Sequence, residues 1–226
     1  MRESAGNTLA DIGFDSNGDL DTTALLNHTG PASGYVQTWY DQSGNGNNAT
    51  QGTNADQPQI VSSGSVILKN GLPALDFNGT SNHMSATGLA TTQPTTASFV
   101  ATSDGYGGYF FDGDDSTDRQ AAFISGSQYS AYAGSTQYSG TTIVAGLQIN
   151  MFIVFNSTSS KIYVNNSGAS SLNLGTRVLS GLDIGQRFSD TERLNGQYQE
   201  LIFWNANQSS NRTGIESNIN DYYSIY

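Results

Sequence analysis

The chain has 226 residues, no cysteine and a net charge of −11 from 19 acidic against 8 basic residues, which suits one β-sandwich and excludes disulfides, cysteine-bound zinc and thiol catalysis. Its pI near 4.2, with Lys69 and Lys161 as the lysines, argues against nucleic acid, whose phosphates demand clustered cations. Aromatic residues reach 11%, enough for a core, while no apolar run approaches the ~20 residues that span a bilayer and residues 1–14 are too polar for a signal peptide.

In chain order, Arg2 to Asn7 reads as a polar turn entered from an earlier strand, as expected of a module cut from a larger protein. Asp21 is placed to cap a short helical turn through Leu25 and Leu26. A strand at 36–40 then runs into the turn Asp41-Gln42-Ser43-Gly44-Asn45-Gly46, where Asp41 supplies side-chain hydrogen bonds and Asn45-Gly46 supplies positive φ. Strand patterns follow at 59–61, 66–68, 74–77, 83–86, 98–103, 109–112, 120–125 and 128–133, then at 142–145, 150–155, 161–165, 182–186 and 196–204. Ile215, Ile219 and Tyr222 recur at helical spacing behind Ser209 or Ser210 as cap, so a closing helix docks by that stripe. The pattern predicts an all-β fold: an antiparallel two-sheet jelly-roll sandwich with a short C-terminal helix, forming one domain over 1–226. Its expected core is Trp39 or Tyr40 with Phe77, Phe99, Phe152, Ile153, Phe155, Ile202 and Trp204.

Three segments carry a family resemblance: DIGFDSNGDLDTTALL from Asp11, the stretch from Trp39 through NGLPALDF, and the run from KIYVNN at Lys161 through NGQYQELIFWN to the end. Together they resemble the concanavalin A-like lectin/glucanase superfamily in its laminin-G-like form, found in bacterial surface and phage virion proteins. The resemblance implies a jelly roll, calcium at a sheet rim in some members, and a surface-exposed setting. The first two segments also resemble the α-L-arabinofuranosidase B catalytic domain, which shares the Tyr-Asp-Gln-Ser-Gly-Asn-Gly turn. That likeness implies a Glu nucleophile in mid-domain and an Asp near the penultimate strands. Here no Glu stands between Glu3 and Glu192, and Gly185-Gln186-Arg187 occupies the place of the Asp. A retaining glycosidase needs two carboxylates about 5–5.5 Å apart, so the expectation is a non-catalytic domain, with Glu200 a structural acid and His28 and His83 without catalytic company.

Two acidic loops alternate oxygen ligands in the manner of a hard-cation site: Asp15, Asn17, Asp19 and Asp21, and Asp112, Asp114, Asp115 and Asp118. Calcium is the cofactor they would take; solvated turns capped by their own side chains are the alternative. Sugar recognition needs aromatic faces beside hydroxyl-binding polar groups. Asp104, Tyr106, Tyr109, Tyr129 and Tyr132, flanked by glycines and amides, are the candidates. The sequence thus points to a glycan-binding module of a phage virion or bacterial surface, covered at a sheet edge by neighbouring subunits or a second copy, with a purely structural decoration domain and an arabinofuranosidase-type hydrolase as rivals.

Overall fold

The period-2 pattern is realised as two large antiparallel sheets packed face to face. The computed structural model describes residues 1–105, 107–189 and 191–226. Among these, one sheet runs in the order Arg2–Glu3, Gly34–Tyr35, Gln59–Ser62, Leu75–Asn78, Asn195–Trp204, Thr95–Ala101, Ile149–Phe155, Ser160–Val164, Ser167–Leu172. The other runs Thr136–Thr142, Gln128–Tyr132, Ala121–Ser125, Tyr109–Asp112, Leu179–Ile184, Met84–Thr91, Ala49–Thr50, Thr38–Trp39. Neighbours in sequence are often far apart in the sheet, which is the jelly-roll connectivity the sequence predicts. The strands Arg2–Glu3, Ala49–Thr50, Thr136–Thr142 and Ser167–Leu172 lack the apolar alternation that would have marked them. The first of these corrects the open-turn reading of the N-terminus: Arg2 and Glu3 pair with Tyr35 and Gly34, and Glu3 draws residues 5–8 into a tight turn by accepting the Ala5, Gly6 and Thr8 amides.

The two inner faces meet through aromatic rings. Phe99 of the first sheet lies 4.9 Å from Phe110 and 5.9 Å from Phe111 of the second, and Phe203 lies 5.0 Å from Phe111. Trp39, Phe77, Phe99, Ile153 and Phe155 join this core as expected. Tyr40 instead is exposed and donates to Asp11 at 2.7 Å, and Phe152 is buried on the opposite face of its strand, outside the inter-sheet cluster.

Two β-bulges decide which side chains face out. Ala101 pairs with Tyr198 but Val100 pairs with Glu200, so Gln199 is the extra residue. Tyr198 therefore points into the core, and the strand resumes with Leu201 and Phe203 inward and Glu200, Ile202 and Trp204 outward. This overturns the expectation that Ile202 and Trp204 lie between the sheets. Gln199 itself donates to the carbonyls of Lys69, Leu72 and Pro73, tying down the neighbouring hairpin. Likewise Tyr109 pairs with Phe123 but Phe111 with Ala122; the bulge sends both Phe110 and Phe111 inward and leaves Tyr109 on the outer face.

Asp21 caps the helix Thr22–Thr29 by accepting the Ala24 amide at 2.8 Å, as predicted. The closing helix Arg212–Tyr223 covers the outer face of the first sheet, packing Ile215, Ile219 and Tyr223 on Val100 and Leu72. Its cap is Asn211, without a side-chain bond, and its third anchor is Tyr223 at i+8; Tyr222 is exposed and its hydroxyl donates to Asp19.

Candidate functional site

On the outer face of the second sheet, the bulge at Phe110 and the strand alternation set Tyr109, Phe123 and Tyr132 side by side. Tyr109 and Phe123 stack at 4.8 Å with their planes 11° apart. Arg119 extends across this surface, its guanidinium 4.8 Å from the Tyr132 ring and 4.5 Å from that of Phe188. Each contact sets a cation against an electron-rich ring face. What fixes Arg119 is Asp112, wholly buried, which accepts from its Nε at 2.8 Å and Nη2 at 2.6 Å and from the Phe188 amide at 3.3 Å. Burial pushes the Asp112 carboxyl up to about 6, with Arg119 opposing the rise. Asp112 thereby clamps Phe188 to the sheet. Around this centre, Arg177 lies 5.3 Å from Tyr132, and Arg187 lies 5.3 Å from Phe188 and pairs with Glu192 at 2.6 Å. Ser189, Thr191 and Glu192 are exposed at the rim. The result is a layered aromatic–guanidinium platform, half-buried at Tyr132 and Phe188, in an otherwise acidic protein.

The structure therefore brings Tyr109 and Tyr132 together and parts them from the other candidates. Tyr129 is 2% exposed and packs in the core against Phe110, 6.2 Å away. Its phenol is pushed up to about 12 by burial, and no ligand can stack on it; this corrects its assignment. Asp104 is exposed on a loop beside Asp76, whose carboxyl is raised by burial and by the Asp104 charge. Tyr106 lies outside the described residues. Arg119, Asp112 and Phe188 were not legible as one unit, because two sit seven residues apart and the third comes from another part of the chain. A run Asp112–Arg119 leaving a strand was the one available signal.

Most of the carboxylates in the acidic loops accept hydrogen bonds from within the protein. Asp15 accepts the Asn17 and Asp19 amides at 2.8 and 3.1 Å, Asp19 takes the Tyr222 hydroxyl, and Asp21 is the helix cap. Asp115 accepts from Thr117 and Asp118 and is held low by these bonds, whereas Asp114 is raised by burial and by Asp115. Asp112 leaves the second loop for Arg119. Among the described residues no three acidic or histidine side chains converge as cation ligands. His83 is half-buried, its ring within 2.8 Å of the Gln51 amide nitrogen and 2.9 Å of the Ser81 carbonyl.

No family model matches the sequence and no curated protein matches it. Solved structures do resemble the fold. An arabinofuranosidase complexed with arabinofuranosyl-alpha-1,2-xylobiose superposes with a TM-score of 0.71 at 15% identity, over 96% of this chain and 57% of that one. A GH54 α-L-arabinofuranosidase soaked with a cyclic sulfate inhibitor gives 0.71 at 14% identity, with the same coverage. A heptameric SAP-like pentraxin from Limulus polyphemus gives 0.50 at 16% identity, over 61% of this chain and 77% of that one. The chain thus spans just over half the length of the arabinofuranosidases it resembles, and the likeness shows the concanavalin A-like jelly roll.

Proposed function

We propose that this domain binds a carbohydrate without cleaving it, through the aromatic–guanidinium platform on the outer face of the second sheet. The observation that carries the reading is the immobilised stack Tyr132–Arg119–Phe188. The half-exposed rings of Tyr132 and Phe188 supply apolar surface beside the guanidinium groups for the C–H face of a sugar, while Arg177, Glu192, Ser189 and Thr191 can bond its hydroxyls. Buried Asp112 holds the stack rigid, so little ordering entropy is lost on binding. The fold likeness to an arabinofuranosidase crystallised with a branched xylobiose supports a saccharide as the ligand class.

The non-catalytic part rests on the carboxyls. Hydrolysis with retention needs two of them flanking the scissile bond. On this face Asp112 is paired with Arg119 and Glu192 with Arg187, and of the nearby pair Asp114 and Asp183 the latter takes the Ser85 hydroxyl at 2.6 Å. The same proposal sets the domain on an exposed surface, a phage virion or a bacterial envelope, where neighbouring copies would multiply weak affinity; its polar, sparsely charged exterior supports this. A glycan array probed with a multimerised domain tests it. Binding that Tyr132→Ala abolishes is expected. Silence across the array favours a decoration domain, and arabinofuranoside turnover lost on replacing Glu192 overturns the non-catalytic reading.

A further inference from the structure

The first sheet carries its own concavity, whereas the platform lies on the second sheet. The bulge at Gln199 turns Glu200, Ile202 and Trp204 outward, and the closing helix stands beside them, leaving a groove of about 530 Å³. Its other wall is formed by Asn211, Gly214 and Asn218. This volume falls within the range of small-ligand pockets. The wall chemistry is mixed. Trp204 supplies a half-buried indole, and Asn211 and Asn218 present exposed amides. Glu200, raised by burial, accepts the Tyr223 hydroxyl, which orients it while using one of the several lone-pair sites of a carboxylate. The helix is pinned: Arg212 lies 4.1 Å over the Tyr163 ring and donates to Asn166 at 2.8 Å, and Tyr222 bonds Asp19. The groove is therefore preformed.

Gly214 is the informative residue. Glycine inside a helix costs stability relative to alanine. Yet a Cβ built at Gly214 meets nothing within 4 Å. No packing contact demands glycine there, nor does its backbone, which is helical. What its lack of a side chain does is keep the groove wall open.

We propose that this groove is a second binding site, for a neutral oligosaccharide whose ring stacks on Trp204 and whose hydroxyls bond Glu200, Asn211 and Asn218. The inference shares only its ligand class with the platform reading. An indole face flanked by a carboxylate and two amides matches a polyol ring with one apolar side, whereas a purely apolar helix or lipid would cover the lone pairs of Glu200 that Tyr223 leaves free, and the Asn218 amide, without offering them partners.

The test uses the full chain in a Trp39→Phe background, which leaves Trp204 as the single tryptophan, titrated with arabinan-, xylan-, cellulose- and chitin-derived oligosaccharides and read by tryptophan emission. At least one is expected to shift the emission saturably. Gly214→Ala should raise the melting temperature and yet weaken that binding about tenfold, a combination that a structural role alone does not produce. Glu200→Gln should weaken it severalfold, while Ser217→Ala, exposed on the helix away from the groove, should leave it unchanged. Unchanged emission with every oligosaccharide overturns the groove site. So does saccharide binding that survives Gly214→Leu and disappears in Tyr132→Ala, an outcome that leaves the platform standing. Sedimentation showing a dimer that Trp204→Ala dissolves also overturns it, by giving the groove to a second copy.

Discussion

Replacing Tyr198 with phenylalanine should stabilise the fold. Tyr198 is completely buried and its ring meets Trp39 and Phe77 at 6.1 Å and Phe99 at 5.7 Å. Its hydroxyl has no hydrogen-bond partner in the protein, and burial raises the phenol well above its usual range. An unsatisfied buried hydroxyl costs roughly 1–3 kcal/mol. Tyr198→Phe removes that cost and keeps all three ring contacts, leaving a void of a single oxygen, so a net gain of about 1 kcal/mol is expected. For a domain of this length that is a rise of roughly 2–4 °C in Tm. Tyr198→Ala should by contrast lose about 3–5 kcal/mol through the cavity it opens. Urea denaturation with matched m-values and calorimetry measure both. A loss of stability in Tyr198→Phe refutes the reasoning, because it shows that the hydroxyl is hydrogen-bonded in solution.

Trp204→Ala, at a half-exposed position outside the core, should cost only about 1–2 kcal/mol, so a loss equal to that of Tyr198→Ala in the same urea experiment would contradict the outward placement. Arg119→Ala strands Asp112 as a buried uncompensated charge and should lose about 3–5 kcal/mol by urea denaturation, with faster proteolysis next to Phe188 as the clamp releases. Among the described residues, burial raises six carboxyls (Asp76, Asp112, Asp114, Asp183, Glu200, Glu216) and hydrogen bonds lower three (Glu3, Asp41, Asp115). A raised carboxyl contributes stability that is full below its unfolded value of 3.8 and is lost as pH rises through its folded value, about 6 for Asp112. Tm should accordingly be higher near pH 5 than at pH 8, and the reverse order in a calorimetric pH series would contradict it. Calcium should shift Tm by less than about 1 °C, since the acidic loops are already held by their own hydrogen bonds; a saturable rise would assign the ion to one of them.

Much of this architecture was written in local patterns. Residues 151–155 form an unbroken apolar run because both faces of their strand are covered, and such a run reads as a central strand. Asp21 before Thr22 marks a helix start because its carboxylate reaches the Ala24 amide within one turn. The short strands at Ala49–Thr50 and Ser167–Leu172 had no such mark; their partners, not their side chains, hold them extended. At the candidate site, aromatic residues beside glycines were visible, but their direction was not. Tyr129 and Tyr132 are three apart, so they face opposite sides of one strand, and which side was core depended on the sheet across from it.

The sequence by itself determined the sandwich: alternation, turn residues and one helical stripe are near-neighbour properties that steric and hydrogen-bonding rules read directly. Only the tertiary structure decided the sites, because a bulge exists only against a partner strand. The extra residues at Phe110 and Gln199 break the alternation, so that Tyr109 before one bulge faces out to Arg119 while Phe111 after it faces in, and Tyr198 before the other faces the core while Trp204 after it faces the closing helix.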